Sequence, residues 1–215
     1  MKTKQELSET FKLFQSSIKK ESTFDQGKLK LLEIRSEIEE IYKYIFNICN
    51  KEDFSKMPLS KDKTIAYYLY HLARIEDITS NTLICGKEQI FFKNEYDKSI
   101  NSPIITTGNE IRREDLVEFS AELDIKQLEN YTLDVIKNTN NIINKMTYAE
   151  SKNKVLEERK KELLKINAVS TDEEAFWLVD YWCKKTYAGL LLMPFSRHQM
   201  LHLGGCLRII KKIKK

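Results

Sequence analysis

Three histidines are all this 215-residue chain contains, and two of them, His198 and His202, lie four residues apart. On a helix that spacing puts both imidazoles on one face, one turn apart, with Cβ atoms roughly 5–6 Å from each other. Two ring nitrogens can then converge on one ion. The third, His71, is distant in sequence but sits in another strongly helical segment. Zinc-type sites take neutral imidazole nitrogens, and the catalytic ones commonly use three protein ligands and keep one position open. His71, His198 and His202 are therefore the candidate metal ligands, and the expected setting is a helical bundle.

A single histidine on an apolar face is more often a hydrogen-bonded core residue, and a His-x-x-x-His pair alone is a modest signal. What strengthens the reading is that all three fall on inward stripes. Two further residues come into question. Cys206 continues the face of His202, but eight residues from His198 is about 12 Å along a helix, too far to share an ion, so it reads as core filler. Asp180 lies in the apolar run Phe176-Trp177-Leu178-Val179-Asp180-Tyr181-Trp182. It is either a partner for the second N–H of a ligating histidine or a surface carboxylate on the polar side of its helix.

Several elements must position these side chains. Ser196 with Gln199 reads as a capping box, Phe195 with Met200 as the accompanying hydrophobic staple, and Pro194 sits just outside the helix. The inward stripe from this start is His198, Leu201, His202, Gly205, Cys206 and Ile209. A helix over about 61–85 carries His71 among Tyr67, Tyr68, Ile75 and Ile78, with Gly86 as C-cap. A helix over about 28–50 presents Leu31, Ile34, Ile38, Ile41, Ile45 and Ile48 at helical spacing, with Glu33, Glu37, Glu39 and Glu40 outside. Asp124 with Gln127 opens a helix to about 146.

The remaining segments are weaker signals. Thr3 and Glu6 cap a helix over 3–19, and Phe24-Asp25-Gln26-Gly27 breaks it. Residues 87–123, with turns at Asn101-Ser102-Pro103 and Thr107-Gly108-Asn109 and a short helix near 110–121, read as a long crossover between antiparallel or parallel neighbours. Residues 151–166 are a solvated helix or a mobile excursion, and Thr171 with Glu174 caps a helix to about 192. No repeat or linker divides the chain, so 1–215 is read as one all-α domain with core helices near 28–50, 61–85, 124–146 and 196–212.

Composition narrows the function. The chain is 41% hydrophobic and 32% charged, with few glycines and prolines, which favours helices over turn-rich β architecture. Its 36 basic residues nearly balance 32 acidic ones, which is no footprint for nucleic acid. The cluster from Lys211 to Lys215 suits a helix C-terminus. No apolar run has the length of a membrane span. The polar N-terminus lacks a signal-peptide core, so a cytoplasmic protein is expected. Cys49, Cys85, Cys183 and Cys206 show no paired spacing and read as reduced, buried thiols.

The segments Thr64-Ile65-Ala66-Tyr67-Tyr68-Leu69-Tyr70-His71-Leu72-Ala73-Arg74-Ile75-Glu76-Asp77 and Arg197-His198-Gln199-Met200-Leu201-His202-Leu203-Gly204 resemble the second-helix and last-helix motifs of the DinB/YfiT-like superfamily. The resemblance covers the four core helices. It implies a four-helix bundle with a long central crossover, in which His71, His198 and His202 bind a divalent metal, zinc or nickel foremost. It also implies a metal-dependent enzyme similar to thiol-dependent transferases, with a low-molecular-weight thiol as co-substrate and a small-molecule substrate. No general base stands out. The chain departs from the family pattern in length, at the N-terminus, at 87–123 and at 147–193, and in having Gly204-Gly205-Cys206 after the second motif histidine. The competing reading is a non-enzymatic protein in which the ion is a structural or sensory element of a helical dimer.

Overall fold

The computed structural model describes residues 4–215, and the chain is all-α. Its helices are α1 (Lys4–Ser17), α2 (Phe24–Ile48), α3 (Ile65–Asp77), α4 (Ile90–Lys93), α5 (Tyr96–Ser99), α6 (Leu116–Glu122), α7 (Ile125–Lys145), α8 (Tyr148–Ser151), α9 (Glu157–Lys165), α10 (Glu173–Cys183), α11 (Tyr187–Leu192) and α12 (His198–Ile213). Two π-helical stretches extend them: Ile78–Cys85 continues α3, and Met193–Arg197 leads into α12. Among the described residues no helix is long and apolar enough to cross a membrane.

The four long helices pack in a ring. α2 lies on α7, α7 on α3, α3 on α12, and α12 on α2. Paired side chains give their directions. Lys28 reaches the carbonyl of Met146 while Arg35 reaches Ile136 and Asn140, so α2 and α7 are antiparallel. Asp77 meets Tyr131 and Asn81 meets Asn138, so α3 and α7 run parallel. Parallel neighbours need a connection that returns along the bundle. This is why residues 86–124 form the long crossover, and it settles the open orientation in favour of parallel.

The crossover starts where Gly86 takes a left-handed conformation (φ +59°) that closes the π-helical extension, as its sequence position predicts. The buried carboxylate of Asp77 then accepts from the backbone N–H groups of Ile90 and Phe91, both at 2.9 Å. A negative charge at these otherwise orphaned donors stabilises the start of α4.

α3 is buried on every side, as expected of a helix packed between α7, α12, the crossover and α6. Its charged residues are therefore paired internally. Arg35 of α2 donates to Glu76 of α3 at 2.6 and 3.2 Å, to the carbonyls of Phe195 (2.9 Å) and Ile136 (3.4 Å), and to Asn140. Glu76 also accepts from Gln199 of α12 at 2.8 Å, and Gln199 in turn accepts from Tyr42 of α2 at 2.6 Å.

Several local expectations change. α2 begins at Phe24, so the break lies before it; Gly27 is inside the helix, where a Cβ would stand 2.5 Å from Ile18 Cγ2. Gly27 thus permits the close approach of the chain leaving α1. Ile48 is largely exposed while the rest of its stripe is buried. The helix expected from Thr171 to about 192 is two. Asp172, not Thr171, caps α10, and Thr186 caps α11, because Lys184 and Lys185 fall in a turn between them. The cap expected at Thr3 lies outside the described residues. Asp124 caps α7 through Gln127 N at 3.0 Å, as expected.

Substituting either member of the buried ion pair, as in Arg35→Met or Glu76→Leu, is expected to cost about 3–5 kcal/mol, because it strands the other charge in the core. The double variant is expected to lose clearly less than the sum of the two. Urea unfolding of the three variants measures this; strict additivity would refute the coupling.

A pH dependence follows from Asp53, which ties the turn after α2 to the last helix. Burial pushes its carboxyl up, but Lys214 (2.6 Å), Lys56 (2.9 Å) and the Asn50 N–H outweigh that and hold it at about 2. Unfolded, the group titrates near 3.8. Its stabilisation is thus complete above about pH 4 and fades as pH falls toward 2. The contribution is about 1–2 kcal/mol, since both lysines are partly exposed. Asp53→Asn should remove that part of the acid sensitivity in pH-dependent melts.

Candidate metal centre

His71, His198 and His202 come together. Each offers a ring nitrogen, and these atoms lie within 4.8 Å of one another. The ring centroids are 5.2 Å (His71–His198), 5.3 Å (His71–His202) and 4.5 Å (His198–His202) apart. The Nε2 atoms of His71 and His198 are separated by 3.3 Å. Two nitrogens bound tetrahedrally to one zinc-sized ion at about 2.0–2.1 Å stand roughly 3.3 Å apart, so this pair already has the required spacing.

The crossover sets the orientation of His71. Three side chains of α3 grip three successive parts of it. Tyr70 Oη donates to the Ile104 carbonyl (2.7 Å), Arg74 to the Ile105 carbonyl (2.7 and 3.1 Å), and His71 Nδ1 to the Thr107 carbonyl (2.8 Å). With Nδ1 committed as the donor, the lone pair of His71 is on Nε2, facing the other two rings. Gly108 continues the turn at φ +75°, with Tyr67 pressed against it.

α12 enters differently from the sequence reading. Ser196 is not an N-cap, and the capping box with Gln199 does not form. Ser196 sits inside the π-helical turn and donates to the Leu191 carbonyl at 2.9 Å, while the Gln199 side chain points to Glu76 and Tyr42. The polar core competes successfully for Gln199. The inward face of α12 is Gln199, Leu203, Gly205, Cys206, Ile209 and Ile210, so Gly205, Cys206 and Ile209 of the expected stripe are buried, while Leu201, expected inside, is 63% exposed. His198 and His202 stand at the edge of this face, half-buried. Gly205 lets α12 approach α3: a Cβ there would be 2.9 Å from the ring of Tyr68, which also packs on His202.

All three imidazoles are neutral at pH 7, as ligation requires. Burial, then the neighbouring His202, pulls His71 down to about 3. Burial and the Lys63 charge bring His202 to about 4. Burial, then His71 and His202, holds His198 well below the ordinary range. The donor count is compatible with an ion. His71 spends its only N–H on Thr107, and His198 Nδ1 is buried without a partner. A proton on His198 Nε2 leaves Nδ1 an unmet acceptor; a proton on Nδ1 leaves an unmet donor and two lone pairs 3.3 Å apart. A cation between the rings removes the second conflict.

Asp180 does not support the site. Its carboxylate is 54% exposed and pairs with Lys160 (3.1 Å) and Lys184 (3.6 Å), because the polar side of α10 carries it outward. Cys206 is buried core, its thiol pushed up chiefly by burial. Among the described residues neither thiol nor carboxylate joins the cluster. On the His198 side an apolar slot of about 190 Å³ opens, lined by Ile75, Trp177, Tyr181, Trp182, Pro194 and His198. The long segment before α12 therefore supplies a wall of the site. Thr107, Lys63 and the α10 aromatics escape sequence reasoning; only the turn signal at Thr107-Gly108-Asn109 pointed toward one of them. Compared with known proteins, the chain matches no family model and no curated protein sequence.

Protein loaded with a divalent ion and freed of excess is expected to retain one ion per chain. His71→Ala and His202→Ala should lose it, whereas Asp180→Asn and Cys206→Ala should keep it. Elemental analysis of the five proteins decides this. Equal loss in Asp180→Asn would overturn the ligand set.

Proposed function

We propose that the chain is a divalent-metal-dependent enzyme similar to the thiol-dependent transferases of the DinB/YfiT-like superfamily, with His71, His198 and His202 as its metal ligands. The observation that carries the reading is the 3.3 Å approach of His71 Nε2 to His198 Nε2 while the other nitrogen of His71 is held by Thr107. The motif resemblance in α3 and α12 supplies the reaction class.

A divalent ion bound by neutral imidazoles keeps its full charge and, as a Lewis acid, favours the thiolate form of a thiol that reaches it. The chain's own residues do the rest. The Thr107 carbonyl fixes the tautomer and aim of His71. Gln199, anchored on Glu76, fixes the rotation of α12 and so the aim of His198 and His202. The edge position of these two leaves one side of the cluster uncovered by α3. The aromatic slot beside His198 excludes water from a substrate's apolar part.

The test is S-transfer from small thiols to an aryl halide by protein loaded with zinc, nickel or cobalt. Turnover should require the ion and fall at least about a hundredfold in His202→Ala, a loss of the order seen when one essential catalytic interaction is removed. A protein that binds one ion per chain yet accelerates no thiol transfer above the buffer rate would refute the enzymatic reading.

A further inference from the structure

Lys63 is a half-buried cation beside the three histidines, and among the described residues no carboxylate forms an ion pair with it. Its Nζ donates to Tyr67 Oη at 2.8 Å and lies 4.0 Å from the centre of that ring. The Tyr67 ring stacks on His71 with centroids 5.5 Å apart and planes at 13°. Arg113 is the other cation of this neighbourhood, and Glu174 and Glu110 are its acidic groups. Neither forms an ion pair with Lys63, and Glu110 accepts from Thr106 instead. Burial meanwhile pulls the ammonium down from its ordinary value.

Such a residue works against the fold and against the ion. A half-buried cation without an ion-pair partner costs stability, and a positive charge beside a dication weakens its binding. Both costs vanish when an anion lies between them. We infer that the site takes a small carboxylate-bearing ligand, whose carboxylate is held by the Lys63 ammonium and the Tyr67 hydroxyl while its other end reaches the three-histidine centre. One ammonium and one hydroxyl match a single negative charge. A phosphate dianion would set a second negative charge facing Glu110 and Glu174. This rests on the three-histidine cluster holding a divalent ion, as proposed above.

Cobalt-loaded protein gives a readout independent of turnover, because its visible spectrum responds to ligands at the ion. The probes are 3-mercaptopropionate, uncharged 3-mercapto-1-propanol, propionate and inorganic phosphate. Wild type should bind the mercapto-acid about tenfold more tightly than the mercapto-alcohol, the worth of one charge-assisted hydrogen bond, and propionate more tightly than phosphate. Lys63→Met and Lys63→Gln should bring the thiol ratio close to one, with cobalt content and helix content unchanged, and Lys63→Arg should retain most of it. A ratio that survives in both neutral variants, or a preference for phosphate, overturns the inference while leaving the metal site standing. If neither thiol binds but propionate still requires Lys63, the carboxylate site holds and the thiol chemistry falls. Failure to take up cobalt overturns both.

Discussion

The Arg35–Glu76 ion pair is the constraint on which the rest of the molecule depends. Two charges are buried completely at the centre of the helix ring, and burying an ion pair is tolerable only when its remaining hydrogen-bonding capacity is met. Here it is. The guanidinium engages Glu76, Asn140 and the carbonyls of Phe195 and Ile136. The carboxylate adds Gln199. Because these groups come from α2, α3, α7 and the turn into α12, no helix can rotate or slide without breaking a buried bond. The apolar stripes make the helices pack, but this network selects one arrangement among the many that would bury similar area.

Its effect on the histidine cluster is direct. Gln199 is adjacent to His198 in sequence, and drawing its side chain to Glu76 turns α12 so that Gln199 and Leu203 join Gly205, Cys206, Ile209 and Ile210 on the core-facing side. His198 and His202 move to the margin of that side, and Leu201 moves out to solvent. The wide π turn at Met193–Arg197 belongs to the same device. It turns the Phe195 carbonyl inward onto Arg35 and absorbs the geometry that a capped start at Ser196 would have imposed. π-helical turns are rare and recur at functional sites, and here one adjoins the histidine pair.

This explains what could be read from the sequence. The four long helices, the Gly86 and Asp124 caps, and the convergence of His71 with the His198 pair followed from periodicity and spacing, which are local or depend only on helix packing. Arg35 and Glu76 gave no such signal. A lone arginine among isoleucines and a glutamate next to Asp77 look like solvated positions until the partner helix is known. The capping box at Ser196 failed because the same Gln199 side chain has a stronger partner in the core. Asp180 stood in an apolar run, yet α10 is exposed along one side, and helical phase decided against it. Thr107 contributes a backbone carbonyl, which no side-chain pattern encodes.

The histidine cluster is not needed to hold α3 and α12 together. Along their antiparallel contact, Glu76–Gln199 fastens one end and Asp62–Arg208, at 2.6 Å, the other, with the Gly205–Tyr68 approach between. An ion at the cluster would add a third fastening to a register already fixed. Structural metal sites are found where folding depends on them, and they are closed by four protein ligands. This cluster brings three, all neutral, set at the margin of the core, in a bundle whose polar centre already specifies the packing. Burying three imidazoles there costs desolvation, which the His71–Thr107 hydrogen bond offsets at one ring only. What the arrangement offers is three converging ring nitrogens that could hold an ion, with the remaining coordination left to a ligand from outside.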